Sequence, residues 1–347
     1  MAEVVRYVDP DAVANGNDGT TWAKAYLSLA AWEAAEGTDL VTAGNWHHVY
    51  CRSSGGTADI TEVEIVGWTT GVNNYVLIEA ASGDEAIKTG WDATRYRLSV
   101  TDPTTGCIVI SEEYIRLKGL QIEVLYTAQA LRYAIYSLGV GASNLLQIYN
   151  CRIRGDANAS STAEAIRFLD GNHNVQIWNC IFENLSGRGL IIGGTNVEVY
   201  NTIIYNCGSD GIYGYSAGNW IIKNCVVFKN TDDFNDQTSG TWAISYCASD
   251  DNDTTDETNI AESGGGVDWS SDFVDAANGD FTLLVGSNLV GAGTVDPGSG
   301  LFSDDIEGDA RGVAWDLGVD EYVAVGGTVA PTGTLYGPLG GPVIGVF

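Results

Sequence analysis

The residues best placed to do chemistry lie between positions 200 and 260. Asp232 and Asp233 follow Asn230-Thr231, with Lys223 a short way upstream. Two neighbouring carboxyl groups are what glycoside hydrolysis needs, one as acid and the other as base or nucleophile. Asp232, Asp233 and Asp236 read equally as a polar turn between repeated units. The run Asp250-Asp251-Asn252-Asp253-Thr254-Thr255-Asp256-Glu257 collects the oxygens that a hard cation such as Ca2+ takes, with Asp251, Asp253, Asp256 and Glu257 as candidate ligands. It lacks the glycine and terminal spacing of an EF-hand loop. Tyr205, Tyr213, Tyr215 and Trp220 fall on adjacent repeats, where exposed rings would stack on sugars. His47 and His48 open a strand and His173 lies in a turn, with no nucleophile motif near them and no Cys/His grouping for zinc.

What must position these groups is a repeat. Tyr149-Asn150-Cys151, Trp178-Asn179-Cys180, Tyr200-Asn201-Thr202 and Lys223-Asn224-Cys225 recur at spacings of 29, 22 and 23 residues. Alternating apolar residues flank each copy, as in Val175-Gln176-Ile177-Trp178 and Val197-Glu198-Val199-Tyr200. A period of two predicts strands with one buried face. Weaker copies at Tyr114–Leu120 and Trp242–Cys247 extend the series. Further strands are read at Ala165–Phe168, Gly189–Ile192 and Gly211–Gly214, set off by turn residues. About three short strands per 20–30-residue unit predict one coil of a parallel β-helix solenoid. The repeated Asn predicts a turn ladder, and Cys151, Cys180 and Cys225, replaced in register by Thr202, predict buried free thiols.

The repeats are joined by two terminal signals. Tyr7-Val8-Asp9-Pro10 and Asn17-Asp18-Gly19-Thr20-Thr21-Trp22-Ala23 open the chain; Asp280-Phe281-Thr282-Leu283, Ser287-Asn288-Leu289, Asp305-Ile306-Glu307-Gly308 and Asp316-Leu317-Gly318-Val319-Asp320-Glu321-Tyr322 close it. Over most of residues 1–322 this resembles the right-handed parallel β-helix superfamily that includes pectate lyases, polygalacturonases and phage tailspikes. The resemblance implies an all-β, right-handed solenoid and, by likeness to phage spikes, a homotrimer. In a lyase of this kind a Lys or Arg base stands beside acidic calcium ligands. Lys223 and Lys229 lie near the acidic run, while Arg152, Arg154, Arg167 and Arg188 line neighbouring coils or stand as solvated exterior positions. Asn230-Thr231-Asp232-Asp233 resembles a compressed form of polygalacturonase elements, but the accompanying Gly-His-Gly and Arg-x-Lys are absent.

Three regions are expected: an opening strand and capping helix at 1–40, the solenoid with its closing segment at 41–322, and an uncharged Gly/Pro-rich tail at 323–347. The helix is expected over Trp22–Glu36, N-capped by Thr20 or Thr21 with Gly37 beyond its end. A net charge of −29 excludes a phosphate-backbone binder, and no apolar run is long enough to span a bilayer. No signal peptide is visible, and the apolar tail gains burial only from a partner. These features point to a structural or adhesive virion β-helix, a decoration or spike component that contacts other virion proteins through 323–347 and binds host polysaccharide. The alternatives are a polysaccharide lyase or glycoside hydrolase, and a cell-surface carbohydrate-binding protein.

Overall fold

The computed structural model describes residues 1–13, 16–127, 131–138, 144–155, 162–168, 173–193, 196–237, 240–251, 257–258, 261–262 and 269–323. Strands stack into three parallel sheets of ten, eight and seven strands among the described residues, each strand pairing with its counterpart one coil away. The chain runs through the ten-stranded, eight-stranded and seven-stranded sheets in turn, as in Asn144–Tyr149, Arg152–Gly155 and Thr162–Phe168. This is the right-handed parallel β-helix expected from the repeat.

Register explains the core. Ile148, Ile177, Val199, Ile222 and Ile244 pair in line along the ten-stranded sheet, and all are buried. The corner between the ten- and eight-stranded sheets holds a left-handed residue on successive coils from Gly119 to Tyr246, the latter at φ 54°. Asn150, Asn179, Asn201 and Asn224 supply it at φ 54°, 51°, 44° and 57°, and Gly119 at 68°. Asparagine and glycine tolerate that region best. Asn179 Nδ2 donates to Asn150 Oδ1 and Asn224 Nδ2 to Asn201 Oδ1, both at 3.3 Å. Immediately after the corner, Cys151, Cys180, Thr202, Cys225 and Cys247 are fully buried, and all seven cysteines are free. The Thr202 hydroxyl donates to Tyr200 O at 2.9 Å, just as the Cys180 thiol donates to Trp178 O at 3.3 Å, so the substitution preserves the contact.

The helical expectation needs correction. Trp22–Lys24 is a single 3-10 turn, and the α-helix is Leu29–Glu36, capped by Ser28, whose Oγ accepts from Ala31 N at 3.0 Å. Between them Tyr26 bridges to Val8 and is buried, so strand pairing with the opening strand overrides helix propensity. Leu29 and Trp32 carry the helix into the core, where Trp32 stacks on Trp68 at 5.4 Å. A second helical turn, Leu40–Ala43, was not expected.

The closing segment does more than end the stack. From Phe273 to Tyr322 it packs against the outer face of the eight-stranded sheet, burying Phe273, Phe281, Leu289, Leu317 and Val319 against Ile181, Ile203, Tyr205, Val226 and Phe228. Those strands are therefore covered on both faces, and Ile181–Glu183, Ile203–Tyr205 and Val226–Phe228 show no exposed position. The Asn corner is the rail on which this arm lies. Asn179 donates to Asp304 O, Asn201 to Asp316 O and Gly318 O, and Asn224 to Thr294 O, at 2.8–3.2 Å.

Asn201→Ala should therefore cost about 2–4 kcal/mol, from the left-handed backbone and the buried hydrogen bonds lost together. Asn201→Gly should recover the backbone part, about 1 kcal/mol. Urea unfolding of the two variants measures this; equal stability of Ala and Gly variants would remove the backbone argument.

Candidate functional site

The outer face of the seven-stranded sheet brings together polar and aromatic side chains from consecutive coils. Its strands share a four-residue pattern: outward, small, inward, outward. Tyr133-Ala134-Ile135-Tyr136, Glu164-Ala165-Ile166-Arg167, Arg188-Gly189-Leu190-Ile191, Asp210-Gly211-Ile212-Tyr213 and Asp232-Asp233-Phe234-Asn235 are successive copies. The second position is Ala or Gly in four of these five copies and Asp233 in the last, and at Gly211 a Cβ would collide with Val227 and the carbonyl of Asp233. One outward row is Glu64, Val109, Tyr136, Arg167, Ile191, Tyr213 and Asn235. The other runs through Tyr133, Glu164, Arg188, Asp210 and Asp232.

Arg188 is the hub of the second row. Its guanidinium donates to Asp210 Oδ2 at 2.5 Å, approaches Glu164 Oε1 at 3.4 Å and lies over the Tyr213 ring at 4.1 Å. Asp210 also accepts from Asn235 Nδ2 at 2.9 Å. Arg167 donates to Tyr133 Oη at 2.7 Å and sits near the rings of both Tyr133 and Tyr215. Tyr133 and Tyr136 stack at 4.9 Å. Glu164 is 1% exposed, and among the described residues its Oε2 has no hydrogen-bond partner. Burial pushes its carboxyl up to about 7, against the pull of Arg188 and Arg167. At the early-coil end of this face, Glu62, Glu64, Val109, Tyr136 and Leu138 wall a cavity of about 390 Å³.

Some of the candidates read from the sequence land here and others do not. Tyr213, Tyr215 and Asp232 lie on this face, and both tyrosines are half-buried. Trp220 is a correction: it is 1% exposed and belongs to the core. Tyr205 is another, since the arm covers it, with Phe281 at 5.6 Å. Asp232 and Asp233 do not face one another as a pair, because Asp233 is buried inside the coil while Asp232 stands on the outer row. Asp233 occupies the small inward position, fully buried, accepting from Asn230 Nδ2 at 2.8 Å and Ser249 Oγ at 2.6 Å. Burial, reinforced by Asp251 and Asp250 against those hydrogen bonds, raises its carboxyl to about 8. Lys223 ends a strand of the ten-stranded sheet, away from both aspartates' seven-stranded sheet.

The cation site finds no support among the described residues, which hold no group of three potential ligands. Asp251 accepts from Asp233 N and Ser249 Oγ at 2.6 and 3.0 Å, so its oxygens are turned inward. Asp253 and Asp256 lie outside the described residues, as do the Glu257 side chain and the tail from 324 to 347. Arg152 is not a solvated exterior position but a fully buried one. Reasoning from the sequence placed Arg167 and Arg188 on neighbouring coils but missed Glu164 and Asp210. Their signal was available in the small residue that follows each of them, at Ala165 and Gly211.

A coil repeat with Asn corners, three parallel sheets and a polar outer face defines a right-handed parallel β-helix protein, and residues 133–272 match the family described as a right handed beta helix region. Among solved structures, the crystal structure of pectate lyase Pel9A aligns with a TM-score of 0.45 and 14% identity, covering 91% of this chain and 96% of that one. No curated protein matches the sequence. No helix among the described residues is long and apolar enough to cross a membrane.

Proposed function

We propose that the protein is an adhesive β-helix that holds an extended, hydroxyl-rich polysaccharide along the outer face of its seven-stranded sheet. The observation that carries this is the Arg188–Tyr213 stack, flanked by Asp210 and Asn235 on consecutive coils. Coils are spaced ~4.8 Å apart, comparable with the length of one pyranose unit, so a glycan laid across the coils meets a new side chain with each sugar. Tyrosine rings offer faces for stacking, and the guanidinium and carboxylate groups offer paired donors and acceptors. The particle setting and trimer expected from the sequence remain part of this proposal. The trimer rests on the likeness to phage spikes, and the contact with other particle proteins on residues 323–347, of which only Val323 is described.

A hydrolytic reading is favoured by one observation, the raised carboxyl of Glu164 two coils from Asp210. Two coil spacings are ~10 Å, near the upper end of the separation used by inverting glycosidases. Against it, Glu164 is almost wholly buried and Arg188 lies between the two carboxyl groups. Binding is the better-supported activity.

The test is calorimetric titration against a panel of neutral polysaccharide fragments. Tyr213→Ala should weaken the best ligand at least about tenfold, a stacking contribution of about 1.4 kcal/mol or more, with the melting temperature unchanged within a few degrees. Absence of binding across the panel, or an unaffected Tyr213→Ala variant, would count against the proposal. Product release abolished in Glu164→Gln would move the assignment to hydrolysis.

A further inference from the structure

A pocket opens where the closing arm begins. It lies between the ends of strands Ile203–Tyr205 and Val226–Phe228 and the segment made by helix Trp269–Asp272 and strand Phe273–Asp275, with a volume of about 390 Å³. That is room for a small molecule. Its walls are aromatic: Trp269 stacks on Phe228 at 4.1 Å and 28°, and Phe228 on Phe273 at 5.7 Å and 16°. Asp250 braces them. Its Oδ2 accepts from Trp269 Nε1 at 3.0 Å and its Oδ1 from Lys229 N at 2.9 Å, so both oxygens are committed to the wall. The other carboxylate of the lining, Asp275, accepts from Asn278 Nδ2 at 2.7 Å.

Lys229 is the residue out of pattern here. The corner between the eight- and seven-stranded sheets holds left-handed residues on three successive coils, Asn184 at φ 53°, Asn206 at 54° and Lys229 at 59°. Asn206 Nδ2 donates to Asn184 Oδ1 at 2.7 Å, an amide ladder like that of the first corner. A third asparagine would continue the ladder and would take the left-handed backbone more readily than lysine does. The lysine is held at the pocket instead. Its Nζ donates to Tyr205 Oη at 3.3 Å, lies 5.5 Å from the ring centre and forms no ion pair among the described residues. Backbone strain kept at a cavity wall, where an unstrained residue serves the neighbouring coils, points to binding rather than packing.

We propose that this pocket binds a small aromatic carboxylate, its ring against the wall of Trp269 and Phe228 and its carboxylate on the Lys229 ammonium. The ring gains offset or edge contacts from four aromatic side chains, Tyr205, Phe228, Trp269 and Phe273. The ammonium supplies a charge-assisted hydrogen bond. The site does not rest on the glycan reading of the seven-stranded face, and its occupant is of a different chemical kind. It does depend on closure of the arm, because Phe273 opens that segment and Trp269 immediately precedes it.

The experiment titrates the full chain with naphthoate, with neutral naphthamide and with octanoate at ~0.15 M salt, followed by ligand-observed NMR. Naphthoate should bind saturably, and the amide and octanoate at least about tenfold more weakly. Lys229→Asn should weaken naphthoate at least about tenfold while the melting temperature stays equal or rises, since it restores the corner's own residue. Lys229→Arg should keep part of the affinity, and Tyr213→Ala on the seven-stranded face should keep all of it. No saturable binding, equal affinity for naphthoate and either comparison ligand, or an unchanged Lys229→Asn variant would each overturn the proposal. A Lys229→Asn variant that melts lower would assign the lysine to packing and overturn it as well. The amide comparison needs no variant and decides the matter whether or not the variants fold.

Discussion

Arg152→Ala is expected to destabilise the protein by about 3–5 kcal/mol, the cost of leaving one member of a buried ion pair without its partner. Arg152 is fully buried, and each of its three donor nitrogens has a destination. Nε donates to Glu183 Oε1 at 2.7 Å, Nη1 to Ile87 O at 2.8 Å and Nη2 to Gly279 O at 2.7 Å. One side chain thus ties its own coil to the next, to the loop that follows strand Val76–Ala80 and to the closing arm. Removing it strands the Glu183 carboxylate, which is 2% exposed, and two carbonyl groups. Urea unfolding gives the magnitude, and limited proteolysis should show cleavage near Gly279 before the coils are attacked. The double variant Arg152→Met/Glu183→Leu removes both charges and should recover much of the loss, because a buried pair adds little over apolar packing. A single variant within about 1 kcal/mol of the parent would refute the assignment, since surface substitutions commonly cost that little.

The second large effect is a loss of stability as pH rises from about 4 to about 8. Several buried carboxyl groups have raised folded-state values, among them Asp59 at about 6, Glu164 at about 7 and Asp233 at about 8, with burial the leading cause in each. A raised carboxyl means that the folded protein keeps a proton the unfolded chain has already released. Each such group therefore destabilises the fold by up to about 1.4 kcal/mol per pH unit between its unfolded and folded values. Asp233 spans the widest window, from about pH 4 to about 8. Self-repulsion of the −29 chain acts in the same direction. His47 acts oppositely: burial lowers its value to about 4, so stability is lost as pH falls from about 6.5 toward 4. With three carboxyl groups outweighing one histidine between about pH 4 and 6, maximal stability should lie near about pH 4 and fall by at least ~2 kcal/mol by about pH 8. Asp233→Asn should flatten the alkaline limb. An unchanged slope in that variant would show that Asp233 does not hold its proton.

The sequence was most legible where chemistry repeats at short range. The Asn corners were visible because four successive coils place a left-handed asparagine at one position, and the thiol ladder because Thr202 preserves both the size and the hydrogen bond of its neighbours. The helix start was misplaced because Tyr26 pairs with Val8, a tertiary contact that no capping pattern reveals. The aromatic candidates divided for a similar reason. Tyr213 faces outward by simple alternation, whereas Trp220 turns inward and Tyr205, on an outer face, is roofed by Phe281. Asp232-Asp233 looked like a pair in one dimension and became two unrelated groups once the strand pointed them apart.

By itself the sequence determined the solenoid: its period, its corners, its buried face and its free thiols all follow from interactions between equivalent positions one coil apart. Only the tertiary structure decided which outer faces stay open. The arm reaches Asn201 from Asp316, 115 residues on, and Asn179 from Arg311, 132 residues on. Such pairings leave no periodic trace, because the arm's residues match a surface assembled from several coils rather than any neighbouring stretch of chain. The same cause hid Arg152, whose partners Ile87, Glu183 and Gly279 are brought around its guanidinium only when the coils stack and the arm closes over them.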